Sequence, residues 1–142
     1  MNRMKHSTLF FAMVLLGLGS CASVSTPPDP DYLAVARIAL AGPKSRAGSL
    51  RLVVGPEIGE KARAALVALG GTLVADDAIP RNAEGWRAQG YTYVIKFDVT
   101  AEQATFEQTS DPVCGVGSKL DLTRVSGEWK IVGNWVHLCT MH

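Results

Sequence analysis

Hydrophobic and polar positions alternate with a period of two from Tyr91 to Thr100. Tyr91, Tyr93, Ile95, Phe97 and Val99 fall on one side, while Thr92, Lys96, Asp98 and Thr100 fall on the other. That contrast predicts a half-buried strand. A turn at Ala101-Glu102 returns the chain as a strand over Ala104–Gln108, and Lys119–Val125 with Glu128–Leu138 predict a hairpin around Ser126-Gly127. Upstream the spacing is helical. Asp29 is placed to cap a first helix, Pro30 suits its first turn, and Gly42-Pro43 stops it. Lys44–Ser49 reads as a loop and Leu50–Val54 as a short strand. A second helix opens at Pro56 and closes at Gly70-Gly71. It carries Ile58, Ala62, Ala65, Leu66 and Leu69 on one face and an exposed Glu57/Lys61 pair on the other. Thr72–Ala75 is a further short strand, and Asp76–Gly90 a long connection with a helical turn near Trp86. The predicted class is α+β, with two helices packed on an antiparallel β-meander of about four strands.

The final hairpin predicts its own register. If Ser126-Gly127 is a two-residue turn, Leu122 faces Ile131, Arg124 faces Trp129 and Ser118 faces Trp135. Continued outward, the same register sets Cys114 opposite Cys139 at a non-hydrogen-bonded pair. Cα atoms there approach to about 4.5 Å, within disulfide range. A bulge in the Cys114–Gly117 segment would shift that register. The expectation is a Cys114–Cys139 disulfide closing the C-terminal hairpin, worth roughly 3–4 kcal/mol by chain entropy.

One apolar run fits neither period. Leu9–Gly19 is 11 residues long, follows Arg3 and Lys5, and precedes the first acid, Asp29. At about 1.5 Å per residue it cannot cross a hydrocarbon core of roughly 30 Å. Its length and basic flank fit a secretory signal peptide. The run ends in Leu18-Gly19-Ser20-Cys21, which resembles the lipobox of bacterial lipoproteins. The resemblance implies that residues 1–20 are a signal peptide and that Cys21 becomes residue one, carrying a covalent lipid. Several acyl chains on one residue make a durable anchor where one alone holds only marginally. Ala22 after the cysteine, in place of Asp, resembles the Gram-negative signal for the outer membrane. The domain then faces the periplasm. Residues 21–30 contain three prolines among small polar residues and form an extended tether, leaving 31–142 as one domain.

Composition narrows the function classes. The chain has 142 residues and is 47% hydrophobic, which excludes wholesale disorder. With 14 Lys and Arg against 13 Asp and Glu, it lacks the basic surface that nucleic-acid binding needs. Loss of residues 1–20 removes two basic residues and no acid, so the mature charge is near −1 and attachment rests on the lipid alone. Export also makes a disulfide plausible. The three cysteines then resolve as one lipid acceptor and one bridge.

Candidate chemistry is sparse. His137, Cys139, Met141 and His142 bring imidazole, thiol and thioether to the C-terminus, a ligand set that suits copper(I). Cys139 cannot serve both a metal and a bridge, so no metal is expected. His137 lacks the nucleophile motifs of a hydrolase. Asp76-Asp77 reads as a solvent-facing loop pair. Gly55-Pro56-Glu57 opens a helix whose amides could hold an anion, although capping accounts for it. Cys114-Gly-Val-Gly117 lacks the spacing of a phosphate loop. Trp86, Trp129 and Trp135 could rim a binding surface; the packed alternative places Trp129 under Arg124 and turns Trp135 inward. The segment Pro112–Gly117 with Gly127-Glu-Trp-Lys-Ile-Val132 resembles the C-terminal hairpin of uncharacterised exported bacterial domains. More loosely, it is similar to the last strands of nuclear-transport-factor-like folds. That resemblance implies a meander and no activity. The expected protein is a lipid-anchored, non-catalytic binding, accessory or inhibitor-type module, partnered by the membrane and by an envelope protein. The alternative is a small periplasmic metal-binding protein or enzyme built on the His137 cluster.

Overall fold

The computed structural model describes residues 27–41, 50–113 and 115–138. The apolar run Leu9–Gly19, Cys21, the expected helix stop at Gly42-Pro43 and loop at Lys44–Ser49, Cys114, Cys139, Met141 and His142 lie outside them. Among the described residues, α1 (Pro30–Leu40) is followed by β1 (Arg51–Val54), α2 (Glu60–Ala68) and β2 (Thr72–Val74). A 3-10 turn (Asp76–Ala78) leads into the connection to β3 (Thr92–Val99), β4 (Gln103–Thr109), β5 (Val116–Val125) and β6 (Glu128–Leu138).

The α+β class holds, but the sheet is not an antiparallel meander alone. Six strands lie in the order β2-β1-β3-β4-β5-β6, and β1 runs parallel to both β2 and β3. The reason lies in burial. Leu52 and Val54 face one core and Val53 another, so β1 is covered on both sides, as parallel strands are. A short run buried on both faces shows no alternation, and its partners cannot be read from its pattern. The crossover through α2 supplies the parallel link to β2.

The main core lies between the helices and one face of the sheet. Val35, Ala36 and Ala39 of α1 and Ala62, Ala65 and Leu66 of α2 meet Leu52, Val94, Phe97, Ala104, Phe106 and Leu122. Phe97 and Phe106 pack edge to face with centroids 5.1 Å apart, and Tyr32 of α1 stacks tilted on Phe97 at 5.1 Å. Asp29 caps α1, accepting from the amides of Asp31 (3.0 Å) and Tyr32 (3.5 Å), and its carboxylate also takes Lys61 at 3.2 Å. Lys61 therefore pairs with Asp29 and not with Glu57. α2 begins at Glu60, later than Pro56, because Pro56–Ile58 form a separate turn closed by the Ile58 amide on the Gly55 carbonyl (3.2 Å).

Two bulges displace the expected faces. Tyr93 and Val94 pair regularly with β4, Ile95 is left out, and Lys96 resumes the ladder against Glu107. Tyr93 therefore points to the side away from the helices while Phe97 points toward them, and the five-residue apolar face of the sequence reading is split. In the last hairpin Leu122↔Ile131 and Arg124↔Trp129 hold as expected around the Ser126-Gly127 turn. Both turn residues have left-handed φ (51° and 80°), the type I′ geometry that glycine makes easy. Val132 then bulges out and the register moves by one, so Ser118 faces Val136 and Trp135 faces Lys119. The ladder ends at Val116↔Leu138 in this shifted register. The direct Cys114/Cys139 opposition of the unbulged hairpin thus does not continue from the described strands. The cysteines themselves lie beyond them.

Candidate functional site

The chain leaves β1 through α2 on the helix side and reaches β2. From β2 it crosses the other side of the sheet to β3, where Ile79 packs with Val53 and Tyr93. Successive crossovers of one hand must change face when they reverse direction along a sheet. The two connections therefore part at the carboxyl ends of β1 and β2, and this switch point is where open α/β sheets hold ligands. Position alone is a fold-level argument, so the side chains must supply the chemistry.

A cleft of about 470 Å³ opens there, within the range of small-molecule sites. Its walls come from the residues that follow β1 (Gly55, Pro56, Glu57) and β2 (Ala75, Asp76, Asp77), with Tyr93, Ile95 and Arg87 closing it. The bulge at Ile95 sits in the wall, which is a common place for such irregularities. Gly55 lets Glu57 fold back: a Cβ at this position would collide with the Glu57 carboxylate at 2.2 Å.

Arg87 is held in place by a small closed turn. Arg81 and Arg87 form a bridge, Ala88 donates to the Pro80 carbonyl (2.8 Å), and the Asn82 side chain accepts from the Trp86 amide (2.8 Å). From there its guanidinium reaches Asp76 at 3.1 Å and lies 5.6 Å over the Tyr93 ring. Tyr93 is 6% exposed, and burial pushes its phenol above the ordinary range, with Arg87 opposing the shift. Its hydroxyl therefore stays a neutral donor and acceptor. Neither that hydroxyl nor the Arg87 Nε has a hydrogen-bond partner among the described residues. A buried group left in that state costs about 1–3 kcal/mol.

The residues singled out by sequence fall elsewhere or apart. His137 is exposed on the sheet side away from the helices, its ring lying on Gly117. Trp129 is half-buried beneath Arg124 (4.7 Å), which also pairs with Asp31 of α1. Trp135 does not pack inward. It is 53% exposed, because the Val132 bulge places it opposite Lys119, whose ammonium sits 5.5 Å over its ring. The expected helical turn near Trp86 occurs instead at Asp76–Ala78, and Trp86 is exposed. Asp76-Asp77 is more than a solvated pair, since Asp76 binds Arg87 at the cleft. Among the described residues no three His, Cys, Asp or Glu side chains gather as a metal site, and no helix is long and apolar enough to cross a membrane. Sequence reasoning missed Tyr93 and Arg87. Only the Ile95 bulge turns Tyr93 toward this side, and only the Arg81–Arg87 bridge brings the guanidinium to it.

Comparison of the chain with family models, curated proteins and solved structures finds no match.

Proposed function

We propose that the protein is a lipid-anchored component of the bacterial cell envelope, held at the outer membrane and facing the periplasm. Its mature domain acts as a non-catalytic binding, accessory or inhibitor-type module. The observation that carries this reading is Leu18-Gly19-Ser20-Cys21 directly after an apolar run too short to span a bilayer. The tether agrees with it. Residues 21–30 contain three prolines, and at about 3.1 Å per residue an extended segment of that length spans roughly 30 Å. It ends at Asp29 and Pro30, which cap and open α1. A folded domain begins where the tether stops.

A Cys114–Cys139 bridge belongs to the same reading. Cys114 lies just before β5 and Cys139 just after β6, and those strands stay paired up to Val116↔Leu138. An exported chain lets a bond between two such cysteines form and persist.

The test is Cys21→Ser with fractionation of the envelope. The variant should leave the membrane fraction or accumulate with its leader attached. Normal maturation with retention at the membrane sinks the reading.

A further inference from the structure

The cleft's lining carries polar groups of two kinds. The Tyr93 hydroxyl and the Arg87 Nε are buried donors without an acceptor among the described residues. Arg87 lies 5.6 Å over the Tyr93 ring and binds Asp76 at 3.1 Å, so Tyr93, Arg87 and Asp76 stand together in the lining. Glu57, after β1, and Asp77, after β2, are exposed carboxylates of the same lining. Asp76 is answered by Arg87, whereas Glu57 and Asp77 have no ion-pair partner among the described residues. The lining therefore carries two carboxylates in excess. Pro56, Ala75 and Ile95 supply apolar surface beside them.

We propose that this cleft binds a small amine, its cationic nitrogen held by Glu57 and Asp77 and a hydrogen-bond acceptor of the same molecule taken by Tyr93 and Arg87. The inference rests on the reading of the domain as a binding module and specifies its ligand. A simple anion would satisfy the two donors but is repelled by the excess carboxylates. A neutral or apolar molecule leaves Glu57 and Asp77 unanswered. An amine with an acceptor on its other end meets both kinds of group, and the volume suits an amino sugar or the amine end of a lysine-like residue. The carboxylate–ammonium contacts and the Arg87 contact are of the stronger, charge-assisted kind.

The experiment is calorimetric titration of the purified mature protein in detergent with glucosamine and with Nα-acetyl-lysine. Each is compared with its amine-acetylated counterpart. At least one amine should bind saturably, and acetylation should weaken it about tenfold, the scale of one lost charge-assisted contact. Glu57→Gln with Asp77→Asn alters two exposed side chains and should weaken the amine to a similar degree. Tyr93→Phe should weaken amine and acetylated ligand alike, leaving their ratio unchanged. Binding of glucosamine alone assigns the source to sugars, and of Nα-acetyl-lysine alone to peptides. The proposal is overturned if neither amine binds, if acetylation changes nothing, or if the double variant binds as the parent does. Cys21→Ser fractionation reads the anchor separately, so a failed titration removes the ligand and leaves the envelope reading standing.

Discussion

The two halves of this sheet are built differently. β2, β1 and the start of β3 are short, parallel and joined by long connections over both faces. β4, β5 and β6 run to 7, 10 and 11 residues, are antiparallel, and follow one another through nearby turns. In the antiparallel half the helix side holds Ala104, Phe106 and Leu122, while the other side carries polar contacts such as Thr105 on Asp121 (2.7 Å). In the parallel half both sides are covered, and Tyr93 and Arg87 bring unpartnered polar atoms to its carboxyl edge; those of the antiparallel half, on Arg124 and Trp129, lie within a cation–π stack. Local pairing gives a long ladder broken only by single-residue bulges. Non-local crossovers create the crevice, because chain ends diverge only where connections take opposite faces.

This contrast can be broken most sharply in the core. Phe106 is 1% exposed and packs on Phe97, so Phe106→Ala should lower unfolding free energy by about 3–5 kcal/mol. Denaturant unfolding measures it. A loss below about 1 kcal/mol would mean that the antiparallel half does not carry the stability assigned to it. Next comes the proposed bridge. Replacing Cys114 and Cys139 with alanine should cost about 2–5 kcal/mol, and amide exchange should show β6 opening before the helices. Two free thiols in protein isolated under thiol trapping would remove the bridge and restore Cys139 as a candidate ligand beside His137.

A smaller effect belongs to the α1 cap. Asp29→Ala should cost about 1 kcal/mol, within the usual range for a lost N-cap. The Lys61 ammonium, opposed by partial burial and helped by the Asp31 and Tyr32 amides, holds the Asp29 carboxyl below its ordinary value. Because the folded value lies below the unfolded one, this stabilisation is complete above the unfolded value and is lost as pH falls through the folded one. Stability curves of parent and Asp29→Ala should converge in acid below pH 3.8; curves that stay parallel there contradict the cap. The last change has the opposite sign. Tyr93→Phe removes a buried hydroxyl with no partner among the described residues, so unfolding free energy should rise by about 1 kcal/mol, the low end of the cost of such a group. A loss above about 1 kcal/mol would reveal a structural role for the hydroxyl and weaken its assignment to the cleft.

How much was legible followed the range of the interaction. The cap at Asp29, the Ala62, Ala65 and Leu66 face of α2 and the Ser126-Gly127 turn depend on residues within a few positions of each other, and each stands where the pattern put it. Arg124 over Trp129 was also readable, since a two-residue turn fixes its neighbours directly. One extra residue at Ile95 or Val132 defeats such reasoning. A bulge leaves no mark on hydrophobic periodicity, yet it turns every later side chain to the opposite face. Trp135 and Tyr93 were misplaced for that reason.

By itself, then, the sequence determined the α+β class, the Asp29 cap and the Ser126-Gly127 turn, and it carries the motif on which the proposed lipid anchor rests. All of these are written in neighbouring residues. Tertiary structure alone decided that β1 would sit between β2 and β3, and that Asp76, Arg87 and Tyr93 would meet. Those outcomes depend on which buried surfaces find each other across the fold, and a short strand apolar on both faces is compatible with more than one neighbour.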